Sequence, residues 1–305
     1  MPPRLILNAD DFGLTNGINR AIAELYTAGA LTSATLMASG PAFDDAIRAA
    51  HAHPALGIGC HIVLTDGTPI SPPETIPTLL GPDRKTFRSS LGSFFLAALL
   101  GRISETDIAR EAQAQIDRIQ QQGIRPTHLD THKHTHILPQ IARPLLAVAE
   151  RTGVPAIRNP FEPPWSIALG RSPILRRVQL RSLRHLQPRF LVLPQIRSGS
   201  VRTTSGTLGI SATGQLNTTT LGNILNAMPD GTWELVCHPG YNDRDLDAIT
   251  TRLRTTREVE LSALLAAFSV TSQFPPHPSR VKLINYREAS TEKQTGLRQP
   301  PSPTQ

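Results

Sequence analysis

The chain has 305 residues, 39% of them hydrophobic and 18% charged, enough to bury a large core as one α/β barrel or two average domains, which excludes a disulfide miniprotein. Cys60 and Cys237 are too few for a disulfide framework and lack structural-zinc spacing, no apolar run reaches the roughly 18 to 20 residues of a membrane span, and Asp10 and Asp11 come too early for a signal peptide, so a reducing cytoplasm is the expected setting. Thirty-one Lys and Arg against 24 Asp and Glu give a net charge of +7, which permits an anionic partner, but 5% aromatic content is too low for base-stacking platforms and no nucleic acid is expected.

In chain order, Arg4 to Ala9 is an apolar run that reads as a strand leading into two aspartates. Ile18, Ala21, Ile22, Leu25 and Tyr26 then mark one buried helical face. Strand-like Ser33 to Met37, helix-like Ala42 to Ala52 and strand-like Gly57 to Leu64 continue the alternation, and such units favour a parallel sheet. Residues 66–103 contain TPISPPETIPTLLGPDR and read as an excursion over one barrel face, functional or mobile. Ser104 caps a helix lined by Ile108, Ala112, Ile116 and Ile119 and stopped by Gly123. Strands follow at Pro126 to Asp130 and Ala156 to Arg158, with a helix near 140–151 between them.

Residues 161–189 carry Arg171, Arg176, Arg177, Arg181, Arg184 and Arg189 among Leu and Ile. The short apolar face favours a solvated helix covering the barrel; the alternative is a basic amphipathic helix in weak contact with a membrane surface through 171–189. Strands at Phe190 to Leu193, Trp233 to His238 and Val281 to Ile284, and helices near 218–228 and 250–268, complete the set. The tail from Ala289 to Gln305 is nearly devoid of apolar residues and is expected to be disordered. About eight strands alternating with helices predict an irregular TIM-like (β/α) barrel, one domain over 1–288 with excursions at 66–103 and 161–215. No GxGxxG opens a helix, so dinucleotide binding has no support.

The acids and imidazoles gather at the downstream ends of these strands, where barrels build their sites. Asp10 and Asp11 can serve one site only if the strand has ended and the chain is turning, with Gly13 placed to allow it; the alternative is an ordinary Asp turn capping a helix. His61 lies in an apolar β-branched run, where a polar ring must be paired or ligating, while Cys60 should face away from it as a packed thiol. THLDTHKHTHILP places His128, His132, His134 and His136 in nine residues with Asp130, a cluster best kept neutral by metal or hydrogen bonds. His132 and His136 share a side if the segment is helical; His128, Asp130 and His132 do if it is extended. In ELVCHPGYND a strand hands His238 to a Pro-Gly turn at the barrel mouth, suited to a proton donor. Asp243, Asp245 and Asp247 read as a solvated helix start.

Four ordered motifs, NADDFG, GCHIVLTDG, THLDTHKHTHILP and CHPGY, resemble the YdjC-like carbohydrate deacetylases, which include chitooligosaccharide deacetylase and a hopanoid-biosynthesis branch. The resemblance covers residues 4 to about 270. It implies a TIM-barrel-like fold and removal of N-acetyl groups from an amino sugar with one divalent metal. By matching motif, Asp11, His61 and His132 are the implied ligands, Asp10 the general base and His238 the general acid. Asp130, His134 and His136 keep the family's DxHxHxH pattern as substrate or supporting residues, and Arg158 matches an arginine that orients a carboxylate or the substrate.

Amide hydrolysis needs an activated nucleophile, a stabilised oxyanion and a protonated leaving amine, all of which this set can supply. Mixed nitrogen and oxygen donors suit zinc, whereas the related family is usually described with magnesium; the two rank level, and manganese and cobalt also fit. The expected partner is an N-acetylated sugar or glycoconjugate. The rival readings are a metal-dependent phosphoesterase on a similar barrel and a non-catalytic basic adaptor. The sequence leaves the oligomeric state open, a homodimer included.

Overall fold

A computed structural model describes residues 2–269 and 281–291. The segment RLILNADDF, buried along almost its whole length, forms β1 (Arg4–Phe12). Around it run β2 (Ser33–Leu36), β3 (Gly57–Ile62), β4 (Leu129–Thr131), β5 (Gly206–Leu208), β6 (Thr232–Cys237) and the short β7 (Lys282–Leu283). Every pairing is parallel, in the order β4-β3-β2-β1-β6-β5, with β7 also on β1. Parallel strands need both faces covered, which is why these segments read as continuous apolar runs.

The two ends of this order approach each other. Single bridges join Leu129 to Ile157 and Ala156 to Arg202, supported by Arg158 N–H to Leu129 O at 3.0 Å and Ile157 N–H to Arg202 O at 2.8 Å. The result is the expected α/β architecture, a curled parallel sheet forming an incomplete TIM-like barrel, with one wall reduced to bridges. Helices Asn16–Thr27, Phe43–Ala52, Glu105–Gln120, Pro139–Thr152, Thr218–Ala227 and Thr255–Phe268 cover the outside. Thr15, Ser104 and Asn217 cap three of them by accepting first-turn N–H groups. Among the described residues no helix is long and apolar enough to cross a membrane.

Several expectations change. Phe190 to Leu193 is no strand; it follows Pro188 in the short helix Gln187–Leu191 and runs into a second helical turn at Pro194. The strand in that part of the barrel is β5, inside the 161–215 excursion, and Ala156 to Arg158 contributes bridges only. Residues 161–189 form separate helices, Pro164–Leu169 and Ile174–Leu183, broken around Gly170 and Pro173. The 66–103 excursion is pinned: Glu111 accepts the Ile70 and Ser71 N–H groups at 2.9 Å each, Asp107 accepts that of Thr78 at 2.9 Å, and Ile76, Leu79, Phe87 and Phe94 are buried beneath it. Ala289 is not the start of a disordered tail, because Tyr286–Thr291 is helical; residues 292–305 lie outside the described residues.

Inside the barrel, His128 stacks on Tyr286 with ring centroids 3.7 Å apart and faces Gly59 of β3. A Cβ at Gly59 would lie within 2.7 Å of three ring atoms of His128, and Tyr286 blocks the ring's retreat. Gly59→Ala should therefore cost about 1 to 3 kcal/mol, the usual range for overpacking, seen as a lower denaturation midpoint at unchanged slope. An unchanged midpoint would mean that the two rings can shift together.

Candidate metal centre and active site

The site begins with an irregularity in β1. Its pairing register with β2 shifts between Ala9 and Phe12, and Asp11 takes φ +66°, a left-handed conformation uncommon outside glycine. Adjacent strand residues normally face opposite ways; the bulge instead brings both carboxylates to one cluster. The strand does not end before the pair, as the sequence suggested, but continues to Phe12. Gly13 (φ +89°) then turns the chain, its N–H donated to Asn19 Oδ1 at 2.7 Å.

Asp11 Oδ1, His61 Nε2 and His132 Nδ1 converge. The two imidazole nitrogens are 3.3 Å apart, and the carboxylate oxygen lies 3.7 Å from His61 Nε2 and 3.5 Å from His132 Nδ1. Donors held at about 2.1 Å from one ion sit roughly 3.0 to 3.4 Å apart, so these three fit a small divalent cation with slight contraction. His61 Nδ1 lies 2.8 Å from Asp130 Oδ1. A proton shared there leaves the lone pair on Nε2, the carboxylate–histidine arrangement that prepares a metal ligand. Burial opposes charge on His61, yet Asp130, Asp10 and Asp11 outweigh it and push its pKa up to about 9, so this point attracts positive charge.

Behind the three donors lies Arg158, fully buried. It donates to Asp10 through Nη1 (2.9 Å to Oδ2) and Nη2 (2.6 Å to Oδ1), to Glu234 through Nε (2.9 Å to Oε1), and its Nη1 pairs with Asp130 Oδ2. Burial works against ionised Asp10, but the Arg158 guanidinium overcomes it and holds the carboxyl well below the usual carboxylate range. Asp11 is held low in the same way, burial being outweighed by Arg257, whose Nη2 donates to Oδ2 at 2.6 Å. Formally, five carboxylates (Asp10, Asp11, Asp130, Glu234, Glu260) meet two guanidiniums, so the cluster is net acidic and suited to a cation, although burial raises Glu234 and Glu260.

His238 stands on the other side of Asp10, its Nε2 3.8 Å from Asp10 Oδ2. Glu260 fixes it from below, accepting the His238 N–H at 2.6 Å with Nδ1 4.0 Å away. His134 is half-buried and left-handed (φ +52°); burial, then the nearby Arg158 charge, hold it neutral. His136 is not positioned for substrate. It is fully buried, with Nδ1 2.6 Å from Thr131 Oγ1 and Nε2 3.2 Å from Arg158 O, so it props the backbone that carries the arginine. His128 lies deeper, 3.1 Å from Asn8 Oδ1. Neither geometry considered for the histidine segment holds throughout: Leu129–Thr131 is extended, and His132–Ile137 is a 3-10 turn kinked by positive φ at Lys133 and His134. Cys60 is a buried free thiol packed in the core. Arg244–Asp247 is a short helix start, as expected.

Five participants escaped the sequence reading: Asn8, Glu234, Arg257, Glu260 and Tyr286. Glu234 and Asn8 carry the signal that exposed His61, a polar residue inside an apolar strand. Arg257 and Glu260, three apart on a helix, look like an ordinary surface pair until the fold buries both. A cavity of about 600 Å³ lined by Gln120, Gly123, Arg125, Pro126, Thr152 and Gly153 lies at the opposite, N-terminal end of the strands and contains no acid or imidazole, so it is not the centre of this chemistry.

Comparison with known proteins gives a consistent picture. The profile of the YdjC-like protein family matches residues 4–268. A carbohydrate deacetylase of Brevibacillus brevis is 39% identical over 158 residues, 52% of this chain and 60% of the relative. One from Geobacillus stearothermophilus is 41% identical over 155 residues, 51% of this chain and 59% of the relative. The alignment thus spans about 60% of the length of these relatives. A carbohydrate deacetylase of Thermoanaerobacter pseudethanolicus aligns more fully, 27% identical over 85% of this chain and 90% of its own. Among solved structures, an Enterococcus faecalis protein suggested to cleave cellobiose phosphate superposes with a TM-score of 0.70 at 24% identity, covering 95% of this chain and all of that one, which shows the shared fold.

The buried imidazoles set a pH dependence. Burial, then Arg158, push His136 down to about 3, whereas an unfolded histidine titrates near 6.5. Between these values the unfolded chain binds a proton that the folded chain refuses, so stability from His136 is complete above about 6.5 and lost as pH falls toward 3, by up to about 1.4 kcal/mol per unit. Urea titrations across this window should show a shallower slope for His136→Gln than for the parent, whatever its absolute stability; parallel slopes would contradict a neutral buried His136. Separately, Asp11→Asn and His61→Ala should each weaken zinc or manganese binding by calorimetry at least tenfold, with the fold retained.

Proposed function

Because the chain belongs to the YdjC-like family, we propose that it is a metal-dependent hydrolase that removes the N-acetyl group of an amino sugar, free or in a glycoconjugate, releasing acetate. The observation that carries this reading is the gathering of Asp10 and His238, 3.8 Å apart through Oδ2 and Nε2, beside the Asp11–His61–His132 donors. Relatives named carbohydrate deacetylase and chitooligosaccharide deacetylase support the choice of substrate class. Mixed nitrogen and oxygen donors accommodate magnesium, zinc, manganese or cobalt.

A divalent ion held by Asp11, His61 and His132 would polarise the acetyl carbonyl and acidify a water. The chain's own groups do the rest. Asp10 Oδ1 already accepts from Arg158, Asn8 (3.1 Å) and Thr35 (3.1 Å), whereas among the described residues Oδ2 accepts only from Arg158 and lies 3.8 Å from His238 Nε2. Oδ2 is therefore the atom with capacity to take the water proton. His238 Nε2 is the donor to the departing amine, the backbone that carries it held by Glu260 through the His238 N–H. Arg158 orients Asp10 through both oxygens and keeps it ionised, so it acts through the base and does not touch the substrate.

The experiment is acetate release from a panel of N-acetylated mono- and oligosaccharides with added magnesium, zinc, manganese or cobalt, beside phosphate release from phosphosugars. Acetate release abolished by chelation is expected. Asp10→Asn should lower turnover by about 10² to 10⁴ while sparing calorimetric metal binding, and His238→Ala should do likewise. Phosphate release without acetate would replace this reading with the phosphoesterase, and loss of metal binding in Asp10→Asn would undo the division of roles between the two aspartates.

A further inference from the structure

Eight large apolar side chains are exposed among the described residues, and seven fall on two segments: Leu96, Leu99 and Leu100, and Ile174, Leu175, Val178 and Val192; the other is Val259. Both segments leave the barrel from the downstream ends of strands, after β3 and after the 156–157 bridge, the end that carries Asp10, Asp11 and His61. In helix Leu91–Leu99, Phe94, Ala97 and Ala98 are buried while Leu96 and Leu99 point the other way.

Helix Ile174–Leu183 is more unusual, for it buries none of its residues. At about 100° per residue, Ile174, Val178 and Leu175 share one face, with Arg177 and Arg181 along its edge, and Arg176, Leu180 and Leu183 lie opposite. The opposite face is the more firmly attached one: Arg176 Nη2 donates to Ile210 O at 2.9 Å, and just beyond the helix Arg184 Nη1 donates to Glu162 O at 2.9 Å, while at the edge Arg177 Nη2 makes a longer contact to Ala168 O at 3.3 Å. Ile174 and Leu175 are 77% and 81% exposed, so this apolar face is not covered by any of the described residues.

Charge points to what covers it. Residues 163–229 contain eight arginines and no Asp or Glu, so the remainder of the chain holds one more acidic than basic residue and the entire +7 excess resides here. Around the leucine segment, residues 84–104 likewise hold Arg84, Lys85, Arg88 and Arg102 and no acid. A second copy of the chain would bring the same positive charge to the contact. A polyanion without an apolar phase would leave the aliphatic side chains in water. A surface with anionic headgroups above an acyl layer accepts both features.

We propose that this face docks the protein on an anionic phospholipid membrane, with Ile174, Leu175 and Val178 entering the headgroup boundary and the exposed Arg171, Arg181 and Arg189 meeting the headgroups. Leu96, Leu99 and Leu100 form the second contact on the same end of the barrel. The inference does not depend on the deacetylase reading.

The test is sedimentation of the full chain with phosphatidylcholine vesicles with and without phosphatidylglycerol, at low and high salt. Binding confined to phosphatidylglycerol vesicles and weakened by salt is expected. Arg171→Gln/Arg181→Gln/Arg189→Gln should lower the partition coefficient on the order of a hundredfold, at about fivefold per arginine near an anionic surface. Ile174→Ser/Leu175→Ser should lower it roughly tenfold or more with the charge intact. Near-UV circular dichroism and the thermal midpoint, unchanged in both variants, show that folding is not the cause. Absence of vesicle binding by the parent chain overturns the proposal. So does binding that survives the serine pair, which would indicate a simple polyanion site, or a parent dimer that the same pair dissociates, which would assign the face to a second copy. None of these outcomes requires acetate release, so a chain without deacetylase activity could still dock, and an active one could still fail to.

Discussion

Arg158 faces Asp10, Asp130 and Glu234 from a position without solvent contact, and the arrangement at the barrel mouth depends on that one guanidinium. A buried charge is tolerable only when paired and hydrogen-bonded, and removal of one partner typically costs about 3 to 5 kcal/mol because the others are left uncompensated. Here the partners themselves have further duties. Asp130 fixes the ring of His61, Asp10 lies beside His238, and Glu234 is held from below by the Tyr286 hydroxyl. One side chain thereby sets the orientation of an imidazole that can ligate, the ionisation of a carboxylate that can accept a proton, and the floor of the barrel.

The fold supplies these partners from distant parts of the chain, and parallel topology is what makes that possible. Asp10, His61, Asp130, Glu234 and His238 come from β1, β3, β4, β6 and the turn after β6, all running in the same direction. A second ion pair, Arg257 with Asp11, ties the outer helix Thr255–Phe268 to the same end and is buried to the same degree. Stability and chemistry are consequently not separable at this site: groups that would balance charge in an inert core are the ones that leave a net negative pocket for a cation.

Much of this was legible from residues alone, for identifiable reasons. His61 stood out because an imidazole in an apolar β-branched run needs a partner, and the helices from Asn16 and Glu105 announced themselves by 3.6-residue spacing, the second also by its Ser104 cap. The ligand set itself rested on motif resemblance, since spacing left the histidine segment undecided between helix and strand and it turned out to be mostly a kinked turn. Phe190 to Leu193 misled because a short apolar run has no distinguishable period, while β5 is three residues, Gly-Thr-Leu, whose strand character is conferred by its neighbours on β6. Arg257 and Glu260 were invisible because nothing local separates a surface charge pair from one that a tertiary contact will bury.

Among the described residues, three of the five non-glycine residues with left-handed backbone, Asp11, Lys133 and His134, sit on two of the three segments that deliver the candidate ligands. Each such conformation costs on the order of 1 kcal/mol and persists only where surrounding structure enforces it. The candidate donors are thus aimed by contacts of the scaffold itself, in contrast to those of a zinc finger, which are gathered by their ion. Exchange of one cation for another at this site should be a local event that leaves the architecture indifferent to which metal the surroundings provide.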